Sequence, residues 1–126
     1  MNGYSVKLKY ASRELTPRER IMVKDTANAI KLDSACNEIG GINITVDYYA
    51  VLEIHNEKSK DRKDYENYLI MSKNGDKYVT GSPSFWNAFT QIADEMEGET
   101  DEWAINVYKL DSKNYKDKQF LTCSLI

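Results

Sequence analysis

Between Ile42 and Ile54 every even-numbered residue is apolar or aromatic: Ile42, Ile44, Val46, Tyr48, Ala50, Leu52 and Ile54. The odd positions are Asn43, Thr45, Asp47, Tyr49, Val51, Glu53 and His55. A period of two over this length marks a strand that lays one face on a core. At about 3.3 Å per residue such a strand runs about 40 Å, well beyond the usual length. It must therefore coil around a barrel or break, and Asp47 is the expected place for a bulge. A chain built on this strand is mainly β.

The remaining segments supply its neighbours. NEKSKDRKD (56–64) reads as an exposed turn, and YENYLIMS (65–72) as the hairpin partner, with Leu69 and Met71 facing inward and Tyr68 and Ile70 outward. Asn74-Gly75 is a strong hairpin signal and joins that strand to Lys77–Thr80. Ser82-Pro83 predicts a helix start. Phe85, Phe89, Ile92, Ala93 and Met96 form one helical stripe, and Gly98 ends it. WAINVYKL (103–110) and FLTCSLI (120–126) read as strands, with Trp103, Ile105 and Val107 on one side of the first and Leu121, Cys123 and Leu125 on one side of the second. DSKNYKDK (111–118) is the lysine-rich loop between them. YSVKLKY (4–10) is an expected edge strand. Over 17–32 two readings stay open: TPRE (16–19) is a capping box and favours a helix, whereas the short apolar run Arg20–Lys24 favours a strand, the preferred reading. Residues 25–41, with Cys36, read as a loop.

Taken from residue 20, the order is strand, long strand, strand with a small hairpin, helix, strand, strand. One helix between the third and fourth strands of an antiparallel five-stranded system predicts an OB-like β-barrel, the helix plugging one end. The alternative is an α+β antiparallel sheet with one packed helix on its face. The 126 residues suffice for one domain, 1–126: a basic extension over 1–18 and the barrel over 19–126. On an OB-like barrel, ligands meet strands 2 and 3 and two loops, which fall at 42–72, 25–41 and 111–118.

Charge sharpens this. The net charge is −3, yet residues 1–32 hold Lys7, Lys9, Arg13, Arg18, Arg20, Lys24 and Lys31 against Glu14, Glu19 and Asp25, a local excess of four positive charges. DEMEGETDE (94–102) carries six acids and no base. Binding follows the local field, so a polyanion ligand remains compatible with a mildly acidic total, while a histone-like binder does not. No apolar run approaches the ~20 residues of a membrane span, and no signal peptide is visible, so a cytoplasmic chain with free thiols at Cys36 and Cys123 is expected.

KDTANAIKLD, the long strand, YLIMSKNGDKYVTGSPSFWNAFTQIADEM and INVYKLDSKNYKDKQFLTCSLI together resemble the small single-stranded DNA-binding proteins of protein-primed bacterial phages and of related mobile elements. The resemblance runs over residues 20–126 and is most specific at the end of the chain. The basic N-terminal stretch has no counterpart in it, and the acidic nonapeptide lies inside the chain rather than in a tail. The resemblance implies a non-catalytic protein of DNA replication, coating single-stranded DNA in the cytoplasm of a bacterial host.

Single strands are held by lysines on phosphates and aromatic rings under bases. Tyr49, Tyr68 and His55, all on the outward set, are the expected stacking platform. Tyr115 with Lys113, Lys116 and Lys118 is a second candidate, and Lys24 and Lys31 flank the first expected binding loop. An enzyme has little to stand on: there is no phosphate loop, no G-x-S-x-G and no H-E-x-x-H. One histidine and two distant cysteines do not make a zinc site, so no metal and no cofactor is expected. The alternative function is that of a mobile-element inhibitor that binds a host protein, with 94–102 imitating DNA.

Overall fold

The long strand is present, and its bulge divides the molecule. In the computed structural model, which describes residues 4–39, 41–58, 64–99, 101–111 and 119–126, strand β3 spans Gly41–Asn56. Chain order before it is β1 (Tyr4–Ala11), α1 (Pro17–Lys24), β2 (Ile30–Lys31) and α2 (Leu32–Ile39). After it come β4 (Asp64–Ser72), β5 (Lys77–Thr80), α3 (Pro83–Met96), β6 (Ala104–Asp111) and β7 (Gln119–Leu125).

Against β4, Val46 pairs Ser72 and Tyr48 pairs Met71, leaving Asp47 as the extra residue. One inserted residue swaps the face to which each later side chain points. Ile44, Val46 and Tyr49 accordingly pack with Phe85, Phe89, Ile105 and Val107. Tyr48 and Leu52 pack on the opposite side with Leu15, Val23, Leu69 and Met71. The even positions are buried as expected, but against two cores on two faces rather than one.

The strand order is β2-β5-β4-β3-β6-β7, with β1 on β3 beside residues 50–56. β2 joins β5 in parallel, and the other described pairings are antiparallel. The result is a curled, open sheet, a half-barrel: among the described residues β5 and β7 do not pair. No helix of the described residues is long and apolar enough to cross a membrane.

Local signals explain the elements. Gly75 takes φ +96° in the β4–β5 turn, where Asn74 Oδ1 accepts the Asp76 N–H at 2.9 Å. Ser82 Oγ accepts the Phe85 N–H at the start of α3, and Gly98 follows its end at φ +86°. Phe85, Phe89 and Ala93 bury the helix against the concave side of the sheet.

Two expectations are corrected. Arg20–Lys24 is not a strand but the second half of α1. Thr16 and Glu19 form the reciprocal capping box, and Lys77 Nζ donates to the Met22 and Asp25 carbonyls at 2.5 and 2.6 Å at the other end. Only Val23 of this helix is buried; Ile21 stays 69% exposed, so no stripe announces the helix. Residues 25–41 are not one loop, because α2 occupies 32–39 and carries buried Leu32 and Cys36 into the α3-side core. The N-terminal stretch belongs to the fold, since β1 lies along the edge of β3 and Leu15 is buried.

A cation at a helix C-terminus is worth about 1 kcal/mol. Lys77→Met should therefore lower the free energy of urea unfolding by about that much. Lys73→Met, which loses only an exposed pairing with Asp47, should change it by less than about 0.5 kcal/mol. Equal effects would remove the capping role.

Candidate nucleic-acid interface

The expected platform is divided. Tyr68 lies parallel to Trp86 of α3, ring centroids 4.7 Å apart and planes at 8°. Tyr49 meets Phe89 edge-on at 4.9 Å and Trp86 at 5.9 Å. The two tyrosines thus come together, but beneath a helix. The reason lies in β4, whose last four residues are buried on both faces; Ile70, expected to face outward, is fully enclosed. Burial, and then the neighbouring Tyr10, push the Tyr49 hydroxyl up to about 12.

His55 stands apart, towards the far end of β3. Its two ring nitrogens lie 2.6 Å from Asp64 Oδ1 and 2.6 Å from Glu57 Oε1. The hydrogen bonds to Asp64 and then Glu57 raise its pKa above the ordinary 6.5. Next to it an open groove of about 420 Å³ is lined by Ser5, Lys7, Glu53, His55, Asp64 and Glu66. Lys9 is held by Glu66 there. With both nitrogens taken and this many carboxylates nearby, the groove is a poor seat for a phosphate chain. Lys24 and Lys31 are exposed, on the end of α1 and on β2. Lys113, Tyr115, Lys116 and Lys118 lie outside the described residues.

Another surface is open. Ile105, Val107, Leu121 and Cys123 point into the α3-side core, so the alternate residues of β6 and β7 form the opposite face. On it lie Asn106, Tyr108, Leu110, Phe120, Thr122 and Ser124, joined by Asn43 of β3 through the register. None is charged. Asn106 Nδ2 donates to Asn43 Oδ1 at 2.8 Å, and the Tyr108 and Ser124 hydroxyls are 2.6 Å apart. Leu110 and Phe120 pair across the ladder, 46% and 38% exposed, one step before the chain enters 112–118. Among the described residues no helix packs on this face. Tyr108 and Phe120 were missed in the sequence, although assigning Ile105, Val107, Leu121 and Cys123 to the core implied them as the outward phase.

The two cysteines are buried, and desolvation raises both thiols, Cys123 to about 12. Among the described residues no group of His, Cys, Asp and Glu could hold a metal ion. Comparison with protein-family models, curated proteins and solved structures returns no match.

A raised histidine pKa means that its pairing contributes to stability below about 6.5 and is lost as pH rises through the folded value. The NMR titration of His55 should have its midpoint above 6.5 and move back towards it when Asp64→Asn and Glu57→Gln are combined. A midpoint at or below 6.5 in the parent would contradict the clamp.

Proposed function

We propose that this chain is a non-catalytic single-stranded DNA-binding protein whose binding surface is the outer face of β6 and β7, with Asn43 and the segment 112–118. The observation that carries the reading is a charge-free face, uncovered among the described residues, that bears Tyr108 and Phe120 next in sequence to a segment rich in lysine. Lysines neutralise phosphates, rings stack on bases, and the amides and hydroxyls tolerate any base edge. The resemblance to phage and mobile-element proteins of this activity points the same way, and implies a role in replication within a bacterial cytoplasm.

The strand order supports an OB-like reading. β3, β4 and β5 follow one another, and β6 returns through α3 to lie beside β3, which is a Greek key. The OB-fold is a partly open Greek-key barrel. On this reading β3 is the first barrel strand, and α3 stands between the third and fourth. The loop between strands 1 and 2 then moves from 25–41 to the β3–β4 connection, where Lys58, Lys60, Arg62 and Lys63 cluster. Lys24 and Lys31 no longer flank a binding loop. The corresponding face of β4 carries α1, whose Val23 packs with Leu69 and Met71, so on this reading the ligand lies on β6 and β7 instead.

A gel shift with a ~30-mer oligo(dT) should show binding that the corresponding duplex lacks. Tyr108→Ala and Phe120→Ala should each cost about 1–3 kcal/mol, with an unchanged salt slope, because stacking moves no ions. Changing Lys113, Lys116 and Lys118 to Gln should flatten the slope of log K against log[salt] by about two, at ~0.7 per phosphate. Equal affinity for duplex, or parental binding by both aromatic variants, overturns the reading.

A further inference from the structure

We propose that the free edge of β7, with the last turns of α3, is a docking site for an extended, lysine- or arginine-bearing segment of another protein, taken up as an added strand.

The edge is defined by two hydrogen bonds. The Ile126 N–H donates to the Ala104 carbonyl at 3.0 Å, so the even positions of β7 point to β6. The Leu121 carbonyl accepts from Ser84 Oγ at 3.0 Å, so the odd positions point away. Alternation then places the N–H and C=O groups of Cys123 and Leu125 on the open side. Among the described residues they have no hydrogen-bond partner. QFLTCSL contains no charge and no proline, and its ladder with β6 has no bulge; the guard on this edge is α3, which packs along it and bonds Leu121 through Ser84, leaving Cys123 and Leu125 facing the groove.

Beside this edge runs a groove of about 730 Å³, with Ile92 and Met96 of α3 on one wall and Cys123 and Leu125 on the other. An added strand lies about 4.8 Å from its neighbour and sends alternate side chains into such a groove. Main-chain bonds supply affinity, and the groove selects an apolar side chain.

Charge selects the rest. Asp94 and Glu95 rim the groove in the last turn of α3, which holds no basic residue. Carboxylates at the negative end of a helix are unfavourable, and among the described residues neither forms a salt bridge. A cation docking there relieves both. A second copy of this chain fits poorly, since the β7 segment QFLTCSL carries no cation to set against the Asp94–Glu95 rim.

The probe is a fluorescent peptide of about eight residues alternating Lys and Val, a length typical of a strand. The parent protein should bind it, and hydrogen exchange at the Cys123 and Leu125 amides should slow. The same peptide N-methylated at alternate backbone nitrogens, and a Glu–Val counterpart, should each bind at least about tenfold more weakly. Asp94→Asn with Glu95→Gln should also weaken binding about tenfold, and oligo(dT) should not compete. Equal binding of the N-methylated peptide would show charge attraction without strand addition and overturn the proposal. So would unchanged exchange at Cys123 and Leu125, displacement by oligo(dT), or self-association of the protein through this edge.

Discussion

Asp47 has no partner in β4, and the rest of the molecule is arranged around that mismatch. A sixteen-residue strand without it would present its even positions, Ile42 to Ile54, to one side and would need one core of matching length. With it, β3 gives Ile44 and Val46 to the core under α3, and Tyr48 and Leu52 to the core under α1. The same residue lets β6 and β1 share one edge of β3 in succession, each pairing with one half. Two modest cores then replace one long one, and the strand itself is what joins them.

That arrangement decides which surfaces remain for a ligand. α3 lies on the concave side and takes Tyr49 and Tyr68 into an aromatic cluster with Trp86 and Phe89. α1, with Leu15 and β1, covers the opposite side of β4, and Lys77 pins its C-terminal end. Among the described residues, β6 and β7 are covered on their inner face alone. Their outer face carries Tyr108 and Phe120, and the free edge of β7 looks into the groove along α3. The proposed nucleic-acid surface and the proposed docking edge thus belong to β6 and β7, on two sides that do not overlap.

Much of this was legible in the residues. Asn74-Gly75, Ser82-Pro83, Gly98 and the alternation of β3, β6 and β7 act over a few residues, so they appear in the sequence as they do in the structure. The bulge was legible too, because a polar Asp47 interrupts a strand too long to stay straight. What escaped was tertiary. α1 shows no stripe because Val23 alone is buried while Ile21 and Met22 face water. α2 is two turns long, and its short stripe, Leu32, Ala35 and Cys36, is easily taken for loop. Tyr68 and Ile70 read as outward because alternation separates the faces of β4 without saying that both are covered.

The central claim is that nucleic acid lies on the outer face of β6 and β7 rather than on Tyr49 and Tyr68. Titrating the protein with oligo(dT) while following backbone-amide and aromatic-ring NMR shifts tests it directly. The account predicts changes concentrated on Asn43, Asn106, Tyr108, Phe120 and Thr122, with the Tyr68 and Trp86 rings and His55 unmoved. Changes concentrated on Tyr49, Tyr68 and His55, with Tyr108 and Phe120 silent, would contradict it.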